Sequence, residues 1–408
     1  MKKTLTTLVV VLLPFVMSVS SFGAGFALYE YSAKGTAMGG ATVANGAEAA
    51  SLGNNPALIT ELEGTQIQVG ATAVVAGATT SVNGDSRSLK NDVIFVPNFY
   101  ITHKWSDDIS LGLGGFTRYG LGGEYKSHFN WVGSTLAYKM NLETFSLTPT
   151  IAIKANEELS VAMGLEAMII SFTQDSMGLP GLAASNYQIS GSGVNWGGNF
   201  SLFYKPEWAE KWAFGAMYRT KVKSDLNGRI RTGGLGALSS YNLFNADAIG
   251  SIVLPDSITA GLAFRPTEKW TMEAGIVGTF WSSYDQILIQ YTGEDKANPF
   301  IRNLKNYKDT FRINFGTEYK LNDTWAVRAG YVFDKSPINE KAMDTLVPVD
   351  DRHIASVGAG YSQDQWSVDV YYAHIFGEDL SGVSTKGLPI KYTDGKSDMY
   401  GITIGYKF

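Results

Sequence analysis

Cysteine is absent from the 408 residues, so neither disulfides nor thiolate metal sites contribute to this fold. Charge is sparse at 17% of residues, and the formal net charge of −5 is spread along the chain, which gives nucleic acid no basic patch to bind. The four histidines, His103, His128, His353 and His374, are too far apart for metal-ligand spacing. No Gly-x-Ser-x-Gly elbow occurs, and no helix pattern follows the glycines of Gly112-Leu113-Gly114-Gly115, so that stretch is not a phosphate loop. The sequence therefore predicts no enzyme, no cofactor and no metal. A Ser/His pair assembled between strands near His374 is the one catalytic alternative left, because triads are recognised by geometry. Beyond the N-terminus, no run approaches the ~18 apolar residues of a transmembrane helix.

What is present points to a membrane all the same. Aromatics reach 12% and glycine stands at 45 residues. Lys2 and Lys3 precede an apolar stretch from Leu5 to Val19, and Ser21-Phe22-Gly23 offers small residues where a signal peptidase reads. A signal peptide over 1–23 and a mature start at Ala24 are expected. A retained anchor is the alternative, but the run is short for a span of roughly 20 residues.

The last nine residues, Tyr400 to Phe408, alternate bulky apolar groups with small or polar ones. Successive side chains on a strand face opposite ways, so Tyr400, Ile402, Ile404, Tyr406 and Phe408 share one face. The same pattern recurs upstream. Phe311, Ile313, Phe315 and Tyr319 oppose Arg312, Asn314 and Glu318; Trp325, Val327, Ala329 and Tyr331 oppose Arg328. Trp366 to Tyr372 opposes Asp369, Trp270 to Ile276 opposes Glu273, and Trp212 to Tyr218 opposes Arg219, with Lys221 and Lys223 expected on the same inner side. Lipid outside and a charged lumen inside explain this assignment. The predicted class is all-β: a transmembrane antiparallel β-barrel over 61–408.

Short polar turns such as Lys320 to Asp323 and Ser362 to Gln365 are expected at the periplasmic end, with long extracellular loops over Gly178 to Gly193 and Gly377 to Asp398. Tryptophans beside the short turns fit an interfacial girdle. A soluble β-sandwich would share the alternation but not the leader and the aromatic-terminated tail.

From Ser32 to Ala50 nearly every residue is small. Such a segment cannot face lipid, but it can pack closely as short helices inside a barrel. Asn55-Pro56-Ala57-Leu58 follows as a turn with a helix-starting proline. Residues 24–60 are read as an internal hatch, with a disordered periplasmic arm as the alternative.

The start Ala24-Gly25-Phe26-Ala27-Leu28-Tyr29-Glu30-Tyr31-Ser32, then Asn55-Pro56-Ala57-Leu58, Val96-Pro97-Asn98, Tyr119-Gly120-Leu121, Tyr218 to Lys223, Leu254-Pro255, Trp281-Ser282 and Phe333-Asp334-Lys335-Ser336-Pro337 occur in a collinear order. In this order the chain resembles the FadL/TodX family of outer-membrane transporters for long-chain fatty acids and other hydrophobic compounds. The resemblance implies 14 strands, a hatch, an apolar pocket beneath the outer loops, and lateral release where one strand kinks inward. It places the hatch and gate at Asn55, Pro56 and Ala57 and at Tyr119, Gly120 and Leu121.

Apolar loop residues mark a candidate groove: Phe129, Trp131 and Val132 in one loop, and Met177, Leu179 and Leu182 in the next, with mutual packing of the loops as the alternative. Lys305, Lys308 and Arg312 could hold a carboxylate, or Arg312 could belong to a bracing network with Glu166, Glu273, Glu318 and Asp369. Where the fatty acid transporters carry a basic pocket residue, this chain has Thr173, Gln174, Asp175 and Ser176, which leaves a neutral hydrocarbon open. Expected partners are a fatty acid or similar hydrophobic molecule, lipid bilayer and lipopolysaccharide, and the barrel assembly machinery through the C-terminal strand. A general diffusion porin is the competing reading.

Overall fold

In a computed structural model, residues 25–233, 245–292, 300–348 and 350–408 are described. The expected leader and the Ala24 start lie outside them. The described residues contain one continuous antiparallel sheet of 21 hydrogen-bonded segments. Two segments, Asp85–Ser88 and Leu380–Val383, are short arms, and five pairs continue one another across an interruption, which leaves 14 crossing strands.

In chain order these are β1 (Thr65–Val82), β2 (Val93–Lys104), β3 (Ile109–Phe116, then Gly120–Glu124), β4 (Lys139–Lys154), β5 (Leu159–Met177), β6 (Asn186–Tyr204) and β7 (Trp212–Arg219, then Val222–Thr232). There follow β8 (Ala246–Leu254, then Ser257–Thr267), β9 (Trp270–Thr279, then Gln286–Tyr291), β10 (Phe300–Leu304, then Thr310–Lys320), β11 (Trp325–Asp334), β12 (Arg352–Gln363), β13 (Trp366–Gly377) and β14 (Pro389–Lys407). Each pairs with its neighbour, and β14 closes on β1 from Gln66↔Lys407 to Val82↔Ile390, so no long edge is left unpaired.

Alternation sets the two faces. Phe311, Phe315, Trp325, Tyr331, Val370, Tyr400 and Ile402 are exposed, whereas Arg312, Glu318, Arg328, Asp369 and Thr403 are buried. Trp105, Trp212, Trp270, Trp325 and Trp366 stand exposed at strand ends beside the short turns, as an interfacial belt requires.

Two expectations need correction. Lys221 and Lys223 are exposed, and Val222 and Ser224 are buried instead. From Asn199↔Arg219 to Asn227↔Ser192 the pairing advances seven residues along β6 but eight along β7, so one extra residue inverts the alternation. Half of the segment 178–193 and most of 377–398 are strand, because β6 begins at Asn186 and β14 at Pro389. Ladder hydrogen bonds continue above the apolar band, where no face needs to be greasy.

Residues 25–62 carry three short helical turns joined by irregular chain: Ala33–Ala37, Ser51–Asn54 and the 3₁₀ turn Pro56–Glu61. Asn55 caps the last of these, its Oδ1 accepting from Ala57 N at 3.1 Å, while Pro56 occupies the first turn, where no N–H is missed. Inward-facing side chains around the wall bind this segment. Thr403 Oγ1 accepts from Ala33 N at 2.8 Å, Ser356 Oγ donates to Ala37 O at 3.0 Å, and Asn314 Nδ2 donates to Gly39 O at 2.7 Å. Glu273 accepts from Val43 N at 2.6 Å and from Ala44 N at 3.1 Å. Contact is close enough to need glycine: a Cβ on Gly215 would lie 1.9 Å from Val43 O.

Candidate lateral gate and apolar cavity

The interruption of β3 at 117–119 is the first element of the site. Between Phe116↔Ser146 and Gly120↔Glu143, β3 advances four residues against three on β4, so the strand is bulged there. On its other side, β2 and β3 pair from Phe99↔Gly115 to Lys104↔Ser110, and the chain just outside the two strands bridges again at Leu89↔Tyr125. Among the described residues no ladder joins Val93–Asn98 to 117–123, which leaves a window in the wall. The bulged stretch instead pairs with the start of the chain: Leu28 N donates to Arg118 O at 2.8 Å, and Gly120 N donates to Phe26 O at 2.9 Å. Tyr119, Gly120 and Leu121 are all buried.

Phe26 stands against rings from the wall, 4.8 Å from Trp281, 5.1 Å from Tyr284 and 5.8 Å from Tyr119, each edge-on. Trp281 and Tyr284 reach it because β9 is interrupted at 280–285 by a 3₁₀ turn. An apolar cluster continues from these rings through Met168, Ile170, Val222, Leu226 and Ile252. It ends at a cavity of about 320 Å³ below the long loops, lined by Leu136, Tyr187, Ile189, Ile287, Ile289 and Met343, with Gln174 and Asp344 among its polar groups.

The structure divides the expected groove residues. Phe129, Leu179 and Leu182 are exposed, and their loops touch through Gly181 N donating to Phe129 O at 2.6 Å. Val132 is half-buried against the apolar cluster. Trp131 and Met177 are fully buried; the Trp131 Nε1 donates to Asp85 O at 2.9 Å and its ring lies 4.6 Å from Tyr125, so it fastens the loop instead of lining an open groove.

The basic candidates are separated as well. Lys305 is buried and ion-paired with Asp344, and Lys308 is exposed. Arg312 is 3.4 Å from Asp334, donates to Gly39 O at 3.3 Å and lies 4.4 Å from the Tyr29 ring. Asp334 also pairs with Arg352. Glu318 and Asp369 both bind Arg328, at 2.6 and 2.5 Å. Arg312 and Arg328 therefore both sit in bracing networks. Asn55, Pro56 and Ala57 are buried, and Ala57 N bonds Ser201 Oγ at 3.0 Å.

Sequence reasoning missed Arg118, Trp281, Tyr284 and the placement of Arg219 beside Arg118. Each lies in or next to a quoted family segment, but only cross-strand register brings them together. No cluster that could hold a metal ion occurs among the described residues.

Comparison with known proteins agrees with this architecture. Residues 15–408 match the family described as outer membrane protein transport protein (OMPP1/FadL/TodX). The long-chain fatty acid transport protein of Salmonella typhi is 27% identical over 430 residues, covering 96% of each chain, and that of Escherichia coli K12 is 27% identical over 440 residues, also covering 96% of each. The crystal structure of a Pseudomonas aeruginosa FadL homologue superposes with a TM-score of 0.84 at 18% identity, covering 94% of this chain and 100% of that one. The Pseudomonas putida toluene transporter TodX gives 0.71 at 18% identity, covering 93% and 99%. With its 14-stranded closed barrel and a match over nearly its whole length, the chain belongs to the OMPP1/FadL/TodX family of outer membrane transport proteins.

Proposed function

We propose that this outer-membrane barrel carries long-chain fatty acids or similar hydrophobic molecules inward without enzymatic chemistry. The ligand collects on Phe129, Val132, Leu179 and Leu182, enters the apolar cavity, and leaves sideways through the window between β2 and β3. The single observation that carries this reading is that window, lying beside the apolar cluster and covered from within by Phe26 to Leu28. A lateral route suits such cargo, since each methylene kept in water costs about 0.8 kcal/mol. Residues 1–23 act as the signal peptide, 24–60 as the hatch and 61–408 as the barrel. Lipopolysaccharide and bilayer surround it, and the β14 terminus at Phe408 serves as the assembly signal. Arg312 braces the wall, and Lys305 is neutralised by Asp344.

Deleting Thr117 removes the extra residue of β3 and lets its ladder with β4 run on without the bulge. Cells carrying this variant are expected to lose uptake of radiolabelled oleate while the barrel still migrates as a folded species on a gel. Unchanged uptake excludes the bulge of β3 as part of the exit. A porin reading would instead need a large steady current from the intact protein in planar bilayers.

A further inference from the structure

The seam between β6 and β7 is unlaced over part of its height. Its ladder stops at Asn199↔Arg219 and resumes at Asn227↔Ser192. Thr220 N donates to Gly198 O at 2.9 Å, and among the described residues no ladder pair joins 193–197 to 221–226 above that bond. Both strands are paired on their far sides there, β6 with β5 from Glu166↔Gly197 to Ile170↔Gly193 and β7 with β8 from Val222↔Leu254 to Leu226↔Gly250. The gap belongs to this one seam. Below it the wall is tied, with Arg118 Nη1 donating to Glu166 Oε2 at 2.6 Å and Arg219 Nη2 donating to Gly53 O at 2.7 Å.

Close contact, not a ladder, keeps the seam shut. A Cβ on Gly193 would lie 2.8 Å from Asp225 O, and one on Gly197 would lie 3.0 Å from Val222 Cγ2. Two polar side-chain atoms are buried beside it without a hydrogen-bond partner, Asn195 Nδ2 on β6 and Ser224 Oγ on β7. Desolvated and unpaired, they count against the closed state, and parting the strands over this stretch breaks no ladder bond.

Apolar groups stand on both sides. Val194 and Trp196 lie on the outer surface, 58% and 62% exposed, whereas Val222 and Leu226 are buried within. A tilted strand crosses the apolar band in about 9–11 residues, so β7, which starts from Trp212 in the belt beside the short turns, carries 221–226 to the outer interface. Behind Leu226 is a space of about 20 Å³ walled by Phe172, Ile189, Ile252, Ile287 and Ile289. Ile189, Ile287 and Ile289 also line the cavity below the long loops, so the two spaces adjoin. At rest the smaller one has room for little more than a methyl group.

Resting on the transport reading above, we infer that the β6–β7 seam is a second side door, opening at the outer leaflet, through which an unbranched alkyl chain dissolved in that leaflet reaches the apolar cavity. Cargo thereby has two ways in, from water over the loops and from lipid through the wall. The narrow aliphatic space behind Leu226 selects a single chain over a ring.

The test uses the full barrel in lipid vesicles preloaded with a hexadecane derivative that carries a diazirine at one end, with labelled residues mapped by mass spectrometry after illumination. Label on Phe172, Leu226 and Ile252 is expected, and it persists in the Thr117 deletion, which alters the β3 bulge on the other side of the site. Because the chain has no cysteine, Gly197→Cys with Val222→Cys places the sole thiols across the seam, within reach of a bridge. Oxidation is expected to lower the label about tenfold, and reduction to restore it. A second variant needs no bridge: Asn195→Leu with Ser224→Ala removes both unpaired polar atoms, favours the closed seam and lowers the label several-fold. Labelling that is equal in the bridged and reduced forms overturns the door; should the bridged variant not fold, unchanged labelling in Asn195→Leu with Ser224→Ala overturns it instead. If the wild type takes no label at Leu136 or Met343 with the probe supplied either from water or from lipid, the transport reading itself fails, and the two failures are thereby told apart.

Discussion

The Asn55 side chain ties the N-terminal segment to itself and to the wall in one group: its Nδ2 donates to Val43 O at 2.7 Å and to Leu202 O at 2.9 Å. Asn55 is wholly buried, so its removal costs the segment both of these bonds. Asn55→Ala is expected to weaken seating of the segment by about 1 to 3 kcal/mol. Single-channel recording in planar bilayers should show frequent openings that the wild type lacks.

Gly215 gives the same segment its closest approach to the wall. Gly215→Val places a branched side chain where Val43 O now stands, so the 41–45 stretch must shift. Raised bilayer conductance is expected, with the folded gel band retained because β7 keeps its ladders.

Arg328 holds two carboxylates at once, Glu318 and Asp369, all three buried. Arg328→Met leaves Asp369 without its partner and Glu318 with only Lys34, 4.0 Å away, and costs about 3 to 5 kcal/mol. The denaturant midpoint of the refolded barrel should fall accordingly. The triple replacement Arg328→Met, Glu318→Gln, Asp369→Asn should recover much of the loss.

Asp350, in the loop between β11 and β12, titrates unusually: burial and then the adjacent Asp351 push its carboxyl up to about 6. An acid raised in the folded state stabilises that state when protonated. This contribution is complete below the ordinary value of 3.8 and is lost as pH rises through about 6. Amide hydrogen exchange, corrected for intrinsic rates, should show the 335–351 loop better protected at pH ~4 than at pH ~7. Asp350→Asn should flatten that dependence.

Much of the barrel was legible in the sequence because lipid imposes a two-residue period on the outer face, and Phe311 to Tyr319 or Tyr400 to Phe408 obey it residue by residue. The inversion at Lys221 was not legible, since a single bulge residue changes phase without changing composition. Nor was the strand nature of 186–193, where Tyr187 and Ile189 alone alternate among Asn, Gln, Ser and Gly and turn inward instead of toward lipid. The candidate site was half readable. Tyr119-Gly120-Leu121 stood out as a place where glycine could interrupt a ladder, but Trp131 looked like a groove residue and proved to be packing. The Arg118, Glu166 and Arg219 cluster joins residues on β3, β5 and β7, and only long-range register assembles it.

The bond from Ala33 near the start to Thr403 near the finish has a bearing on biogenesis. The berth of Ala33 is therefore complete only when β14 is in register with β1, so the seating of this early stretch and the closure of the seam support one another.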